Sequence, residues 1–298
     1  MKLLIVGSKG FIGSHCFNYF EKKHEVWGCD IMLDYTSSNY SIIGSPESDF
    51  NELVKANHFD ICINCSGAAN VKYSFTNPID DYKLNALNVM YILEAIRVNS
   101  PDCKFINLSS AAVYGNPELI PIKPNTAKSP ISPYGYHKSM AELICEEYNK
   151  LWQIPTCSLR IFSTYGPGLQ KQLFWDLYQK TKQGHVELWG TGNETRDFIY
   201  ITDLVNTINL TINNCSFEGD IINIANGEQI TIAQVAKIFA NIVGLSSDKI
   251  TFKGQERTGD PLNWEADIST IKSWGYKAAI DIHQGIKNYI LWAQREQK

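Results

Sequence analysis

Apolar runs and amphipathic stretches alternate along the first half of the chain. The apolar run Lys2–Val6 ends at Gly7, and an amphipathic helical pattern follows over residues 11–23. Residues 25–30 read as a second strand, 53–57 as a short helix and 60–65 as a third, fully apolar strand. A long helix is predicted over residues 82–99, a strand over 104–109, a helix over 134–152 and a strand over 156–162. Continuous apolar strands separated by amphipathic helices imply an α/β architecture: a doubly wound parallel sheet covered on both faces.

Two stretches break this rhythm. Residues 116–133 carry Pro117, Pro121, Pro124, Pro130 and Pro133 and have no period, so they read as a loop over the C-terminal edge of the sheet, where such folds bind ligands. Beyond Gly166-Pro167-Gly168 the pattern loosens into short elements, except that residues 220–225 look like a strand returning to the main sheet. The expected division is a first domain over residues 1–165, joined by about 197–226, and a smaller, discontinuous C-terminal α/β substrate lobe within 166–298.

Composition narrows the class. At 298 residues, 44% hydrophobic and 19% charged, the chain suits a soluble enzyme. A net charge of -4 gives no global basic field for nucleic acid or an anionic membrane, so neither is an expected partner. No run approaches the roughly 18 apolar residues of a membrane span, and the opening run is too short for a signal peptide. A cytoplasmic location is the expectation. The eight cysteines are scattered, and Cys62-Ile63-Asn64-Cys65 has no second pair or histidines to complete a metal site. They read as reduced core thiols, with no metal.

The candidate chemistry begins at Gly7-Ser8-Lys9-Gly10-Phe11-Ile12-Gly13, between the first strand and the first helix. Glycines there allow a tight turn, close approach to a pyrophosphate and helix-on-strand packing, and the helix N-terminus offers free N–H groups. This is the mark of a Rossmann-type dinucleotide site. Asp30 closes the second strand, 17 residues after Gly13, where a carboxylate binds the adenosine ribose hydroxyls. No Lys or Arg occurs from Glu25 through Val54 to hold a 2′-phosphate, which favours NAD over NADP. Lys9 and Lys23 are the cations able to weaken that preference by folding back toward the ribose.

The second constellation is Ser110 at a strand end and, opening a later helix, Tyr134 and Lys138, four residues apart and on one face. An ammonium beside a phenol is expected to lower its pKa from about 10, so that the phenolate can take a hydroxyl proton as hydride leaves the same carbon. Ser110 orients that oxygen.

Together these motifs resemble the extended short-chain dehydrogenase/reductases, specifically the NAD-dependent epimerase/dehydratase group, nearly end to end. The resemblance implies cofactor-binding roles for Gly7, Gly10, Phe11, Ile12, Gly13, Asp30, the pair Asp49-Phe50 at the adenine, the turn Ser66-Gly67-Ala68-Ala69, the helix residue Asn85, the catalytic Tyr134 and Lys138, and Phe162. It implies substrate contacts from Ser74, Ser110, Ser163, Arg196, Arg257 and Asp260, the two arginines gripping a nucleotide diphosphate and Asp260 a ribose. Ser163 stands where the family usually has Asn, and Arg196-Asp197 also reads as a structural ion pair. A homodimer through residues 82–99 and 134–152 is a further implication.

The group's reactions differ in their extra acid–base residues. Dehydratases carry an acidic pair immediately after the catalytic hydroxyl residue, and decarboxylases a Glu just before Val-Tyr-Gly; here those places hold Ala111 and Ala112. Alanine carries no proton. The expectation is a nucleotide-sugar epimerase acting at C4 through a transient 4-keto intermediate. The alternatives are a reductase of a nucleotide-linked 4-keto-6-deoxy sugar and, with both Tyr134 and Lys138 retained arguing against it, a non-catalytic dinucleotide sensor.

Overall fold

The computed structural model describes residues 1–255 and 259–296. In chain order its strands are β1 (Lys2–Val6), β2 (Glu25–Asp30), β3 (Tyr40–Ile42), β4 (Ile61–Asn64), β5 (Lys104–Ser110), β6 (Thr156–Ile161), β7 (Ser163–Tyr165), β8 (Val186–Leu188), β9 (Thr195–Tyr200), β10 (Glu218–Ile224), β11 (Gln229–Thr231) and β12 (Ile250–Phe252). Seven of them form a parallel sheet in the order β10-β6-β5-β4-β1-β2-β3. The order reverses between β1 and β4, and that switch point opens a crevice at the strands' C-terminal ends.

Alternation along the strands builds two cores. Leu3, Ile5, Ile61, Ile63, Ile106 and Leu108 face one side of the sheet; Leu4, Val6, Cys62 and Phe105 face the other. Each such side chain contributes about 2 kcal/mol by leaving water. The first layer packs beneath helices α1 (Phe11–Phe20) and, later in the chain, Ile201–Asn214; the second lies under α2 (Pro46–Asn57) and the helices that follow α3 (Val71–Thr76).

The helix expected over residues 82–99 is three pieces: α4 (Pro78–Tyr82), a π turn (Lys83–Leu87) and α5 (Asn88–Asn99). Such wide turns are frequent at functional sites because they re-aim side chains. Here Asn85 Nδ2 reaches back to Asp81 Oδ1 at 3.1 Å. The short helix expected over 53–57 begins earlier, at Pro46, with Glu47 and Asp49 in its first turn favouring the N-terminal dipole. β3 carried no strand signal because its three residues gain their order only by pairing with β2.

Helix α6 (Pro133–Trp152) starts at an N-cap, Ser132, whose Oγ accepts from Gly135 N at 3.2 Å. The proline-rich loop before it is tied to the second lobe: Ile122 N donates to Glu265 O at 2.7 Å, and Leu262 N to Asn116 Oδ1 at 2.8 Å. Beside the main sheet lie a three-stranded sheet, β11-β9-β7, and the pair β12-β8. The adjoining part of the first core is aromatic, with Tyr165 stacked on Phe174 at 4.4 Å.

Candidate active site

The glycine turn after β1 is shaped by backbone contact. A Cβ on Gly13 would lie 2.0 Å from Gly7 O, and one on Gly7 would lie 2.8 Å from Ser66 N. Gly7 also holds a positive φ of 76°. Gly10 is the N-cap of α1 and offers no side chain to the helix's first N–H groups, which suits a phosphate. Phe11 and Ile12 are half-buried at the start of α1, where Phe11 faces Gly168 and His15 Nε2 meets Pro167 O at 2.8 Å. The turn 66–69 forms the opposite wall. Ser66 Oγ donates to Asn64 Oδ1 at 2.5 Å and accepts from Asn88 Nδ2 at 2.8 Å, while Gly67 and Ala69 are exposed to the crevice and Ala68 is half-buried.

Asp30 lies at the end of β2, beside that turn, and accepts from Lys9 N at 2.9 Å and Ile31 N at 2.8 Å. The Lys9 ammonium does not turn toward Asp30's ribose position. It is hydrogen-bonded to Asp34 and lies 4.9 Å above the Tyr40 ring. The cation best placed to attract a 2′-phosphate is thereby neutralised.

The reaction end is assembled by α6 packing on the 3-10 turn Ala111–Val113. A Cβ on Gly135 would lie 2.5 Å from Ala112 O, so only glycine lets the helix come this close. That approach sets Tyr134 beside Ser110, whose hydroxyl works to hold the phenol's pKa down. Lys138 is buried one turn further on and donates from Nζ to Leu108 O at 2.9 Å. Gly67 lets Asn85 and Lys138 come close: a Cβ there would lie 2.5 Å from Asn85 Oδ1 and 3.4 Å from Lys138 Nζ. Asn85 Oδ1 is buried with no hydrogen-bond partner among the described residues, while Asn85 Nδ2 bonds Asp81 and Ala68 O.

One expectation is corrected here. Tyr134 is not lowered by its lysine: burial pushes the phenol up to about 12, the Ser110 bond opposes this, and the Asp81 charge adds to it. Burial likewise pulls Lys138 down to about 8, against an upward pull from Asp81.

Several other expected site residues have structural partners. Phe50 is buried in the core under α2, and Asp49 accepts from Gly44 N and Ser45 N, both at 2.7 Å, at that helix's start. Ser74 is fully buried and spends its hydroxyl on Val71 O at 2.7 Å, so its helix rather than a sugar takes the hydrogen bond. The Phe162 ring is buried between Tyr114 and Trp264. Ser163 opens β7, half-buried. Arg196 and Asp197 do not pair, because neighbours on a strand face opposite sides. Asp197 accepts three backbone N–H groups, from Asn226, Gly227 and Ala266, and burial raises its carboxyl to about 7. Arg196 donates to Thr195 O at 2.8 Å, lies over Trp264, and feels the exposed carboxylate of Asp260. Arg257 lies outside the described residues. Asp81 and His137, which no sequence motif singled out, meet at 2.6 Å beneath the reaction end; the available signal was a carboxylate four residues before Asn85.

The glycine cradle, the uncapped helix and the buried, unpartnered Asn85 oxygen fit a dinucleotide held between the glycine turn and Tyr134. A family model described as the NAD dependent epimerase/dehydratase family matches residues 3–225. The chain belongs to that family. Its cofactor is NAD. The chain is 29% identical to the uncharacterized UDP-glucose epimerase YtcB of Bacillus subtilis, over 98% of each protein. Among solved structures, it is similar to the UDP-glucuronic acid 4-epimerase of Bacillus cereus in complex with UDP-glucuronic acid and NAD. That match has a TM-score of 0.90 and 25% identity, covering 99% of this chain and 100% of the other. The UDP-N-acetylglucosamine 4-epimerase of Methanobrevibacter ruminantium shares the fold, with a TM-score of 0.87 and 23% identity over 99% and 98% of the two chains.

Proposed function

We propose that this chain is an NAD-dependent nucleotide-sugar epimerase that inverts C4 of a UDP-sugar through a transient 4-keto intermediate. The observation that carries this reading is the content of the reaction end. Ser110, Tyr134 and Lys138 converge there, while the adjoining turn Ala111–Val113 supplies no acid or base. Elimination of water and decarboxylation both need such a group; inversion does not.

NAD supplies, when bound, a hydride acceptor and donor whose ring charge also favours a phenolate beside it. Tyr134 Oη takes the proton of the C4 hydroxyl and later returns it. Ser110 Oγ, beside the phenol, orients that hydroxyl by a hydrogen bond of its own. The Lys138 ammonium, fixed by Leu108 O, stabilises the phenolate and would hold the ribose side of the cofactor. Burial of Tyr134 keeps water from the transferring proton. Arg196 and Arg257 bind the nucleotide diphosphate, and Asp260 takes the nucleotide ribose hydroxyls.

We infer a homodimer as well. α6 exposes Tyr136, Met140, Leu143 and Leu151, and α5 exposes Met90 and Val98, an apolar face suited to pairing with its copy. All eight cysteines are free thiols and no helix among the described residues is long and apolar enough to cross a membrane, which supports a cytoplasmic location. Incubation with UDP-, dTDP-, GDP- and CDP-sugars, read by mass spectrometry and NMR, tests the function. A C4 epimer of unchanged mass supports it; loss of water, or a gain of hydrogen that depends on added NADH or NADPH, replaces it with dehydration or reduction.

A further inference from the structure

A carboxylate and an imidazole that no step above uses lie beneath the reaction end. Asp81, in the last turn of α4, has no solvent exposure. Its Oδ2 meets His137 Nδ1 at 2.6 Å and its Oδ1 accepts from Asn85 Nδ2 at 3.1 Å. An ionised carboxylate only accepts, so Nδ1 carries the hydrogen in this contact. His137 sits on α6 between Tyr134 and Lys138, and the Tyr82 ring closes edge-on against it at 5.6 Å. The π turn places Asn85 so that one amide bridges Asp81 and the Ala68 carbonyl of the cofactor wall. Three elements thus converge on one buried carboxylate directly under the catalytic helix.

We propose that Asp81, held by His137 and Asn85, is a positioning residue that keeps the Lys138 ammonium charged and aligned at the working pH. This rests on the C4 epimerase reading. A buried anion acts over several ångströms because little water screens it. Lys138 needs such help, since burial has brought its ionisation to about 8. The groups that face it are Asp81 from α4, Cys65 beyond β4, and Cys145 and Glu142 from α6, with Asp81 the strongest of them. Glu142 is already paired with Arg160 at 2.8 Å, and burial keeps Cys145 a thiol, raising it to about 12. Asp81 is therefore the carboxylate left to hold the lysine. Burial raises the phenols of Tyr134 and, on α3, Tyr73, and the Asp81 charge adds to both, at Tyr73 behind Asp80. Asp81 moves base and ammonium upward together, so the lysine keeps its charge until more alkaline pH.

The test is the pH profile of kcat for C4 inversion, with Tyr134→Phe as the control for the reaction itself. Asp81→Asn is expected to move the alkaline limb down by about one pH unit, a roughly tenfold loss above the limb with a much smaller loss near neutrality. His137→Leu should reproduce the shift, His137→Gln, whose amide can donate to Asp81, should restore the limb, and the double variant Asp81→Asn/His137→Leu should add nothing. A second readout needs no substrate: the tyrosinate absorbance of Tyr134, taken as the difference from Tyr134→Phe, should appear at lower pH in Asp81→Asn. A limb that stays in place while kcat falls uniformly and Tm drops would overturn the proposal, leaving Asp81 a packing residue. If Asp81→Asn does not fold, the contrast between His137→Leu and His137→Gln decides. A wild type that fails to invert C4 sinks the epimerase reading, whereas the tyrosinate shift still tests Asp81.

Discussion

Asp30 and Asp81 are carboxylates at opposite ends of one crevice, and their surroundings differ in kind. Asp30 stands at the adenosine end among exposed loop residues, with Lys9 and Asp34 pairing at the surface and Ile31, Met32 and Leu33 open to solvent. Asp81 stands at the reaction end, fully buried, with both oxygens taken by side chains. Water and salt screen the first region, so its charges select the cofactor weakly and reversibly. The second region is dry, so each charge there resets the ionisation of its neighbours. Under the proposed function, recognition is delegated to the wet end and proton transfer to the dry one.

That contrast orders the expected effects. Tyr134→Phe should lower kcat about a thousandfold with little change in substrate KM, measured by NMR of the C4 epimers. A fall of less than tenfold would mean the dry end does not carry the proton. Arg160→Met comes next. It leaves Glu142, buried against Ser109 and Arg160, without its guanidinium and frees the Pro124 carbonyl. We expect about 3 kcal/mol of destabilisation in urea titrations.

The pH response of Lys138 is smaller and has a distinctive sign. With an ionisation at about 8 in the folded chain, catalysis should fall as pH rises through that value. Stability should move the other way. The unfolded lysine keeps its proton to about 10.4, so between these values the unfolded state binds more protons and folding gains as pH rises. Activity and Tm recorded together should therefore diverge above pH 8 as far as this group is concerned. The smallest effect belongs to the wet end. Asp34→Asn frees the Lys9 ammonium and should tighten NADP binding roughly two- to fivefold at low salt, with the gain fading at high salt. Isothermal calorimetry at two ionic strengths checks it.

The wet end was the more legible one. The glycine turn, the carboxylate closing β2 and the absence of Lys or Arg over residues 25–54 are local features, and each follows from spacing along one strand–turn–helix unit. Tyr134 and Lys138 were legible for the same reason, being one helical turn apart. What sequence did not show was the field around them. Asp81 becomes a partner of His137 only when α4 packs on α6, and the π turn that aims Asn85 has no periodic signal. The expected lowering of the Tyr134 phenol failed because spacing reveals a neighbouring lysine but not the burial that outweighs it. Ser74 shows the same gap: sequence places a hydroxyl on a helix but not the backbone carbonyl to which it donates.

The most direct test follows one hydrogen. A UDP-sugar carrying deuterium at C4, converted by the purified protein with no added NADH, should yield the C4 epimer with its deuterium retained and its mass unchanged. Hydride lifted and returned at one crevice, with Tyr134 managing the proton, requires that outcome. Loss of the deuterium to solvent, or a product that has lost water or gained hydrogen, would contradict it.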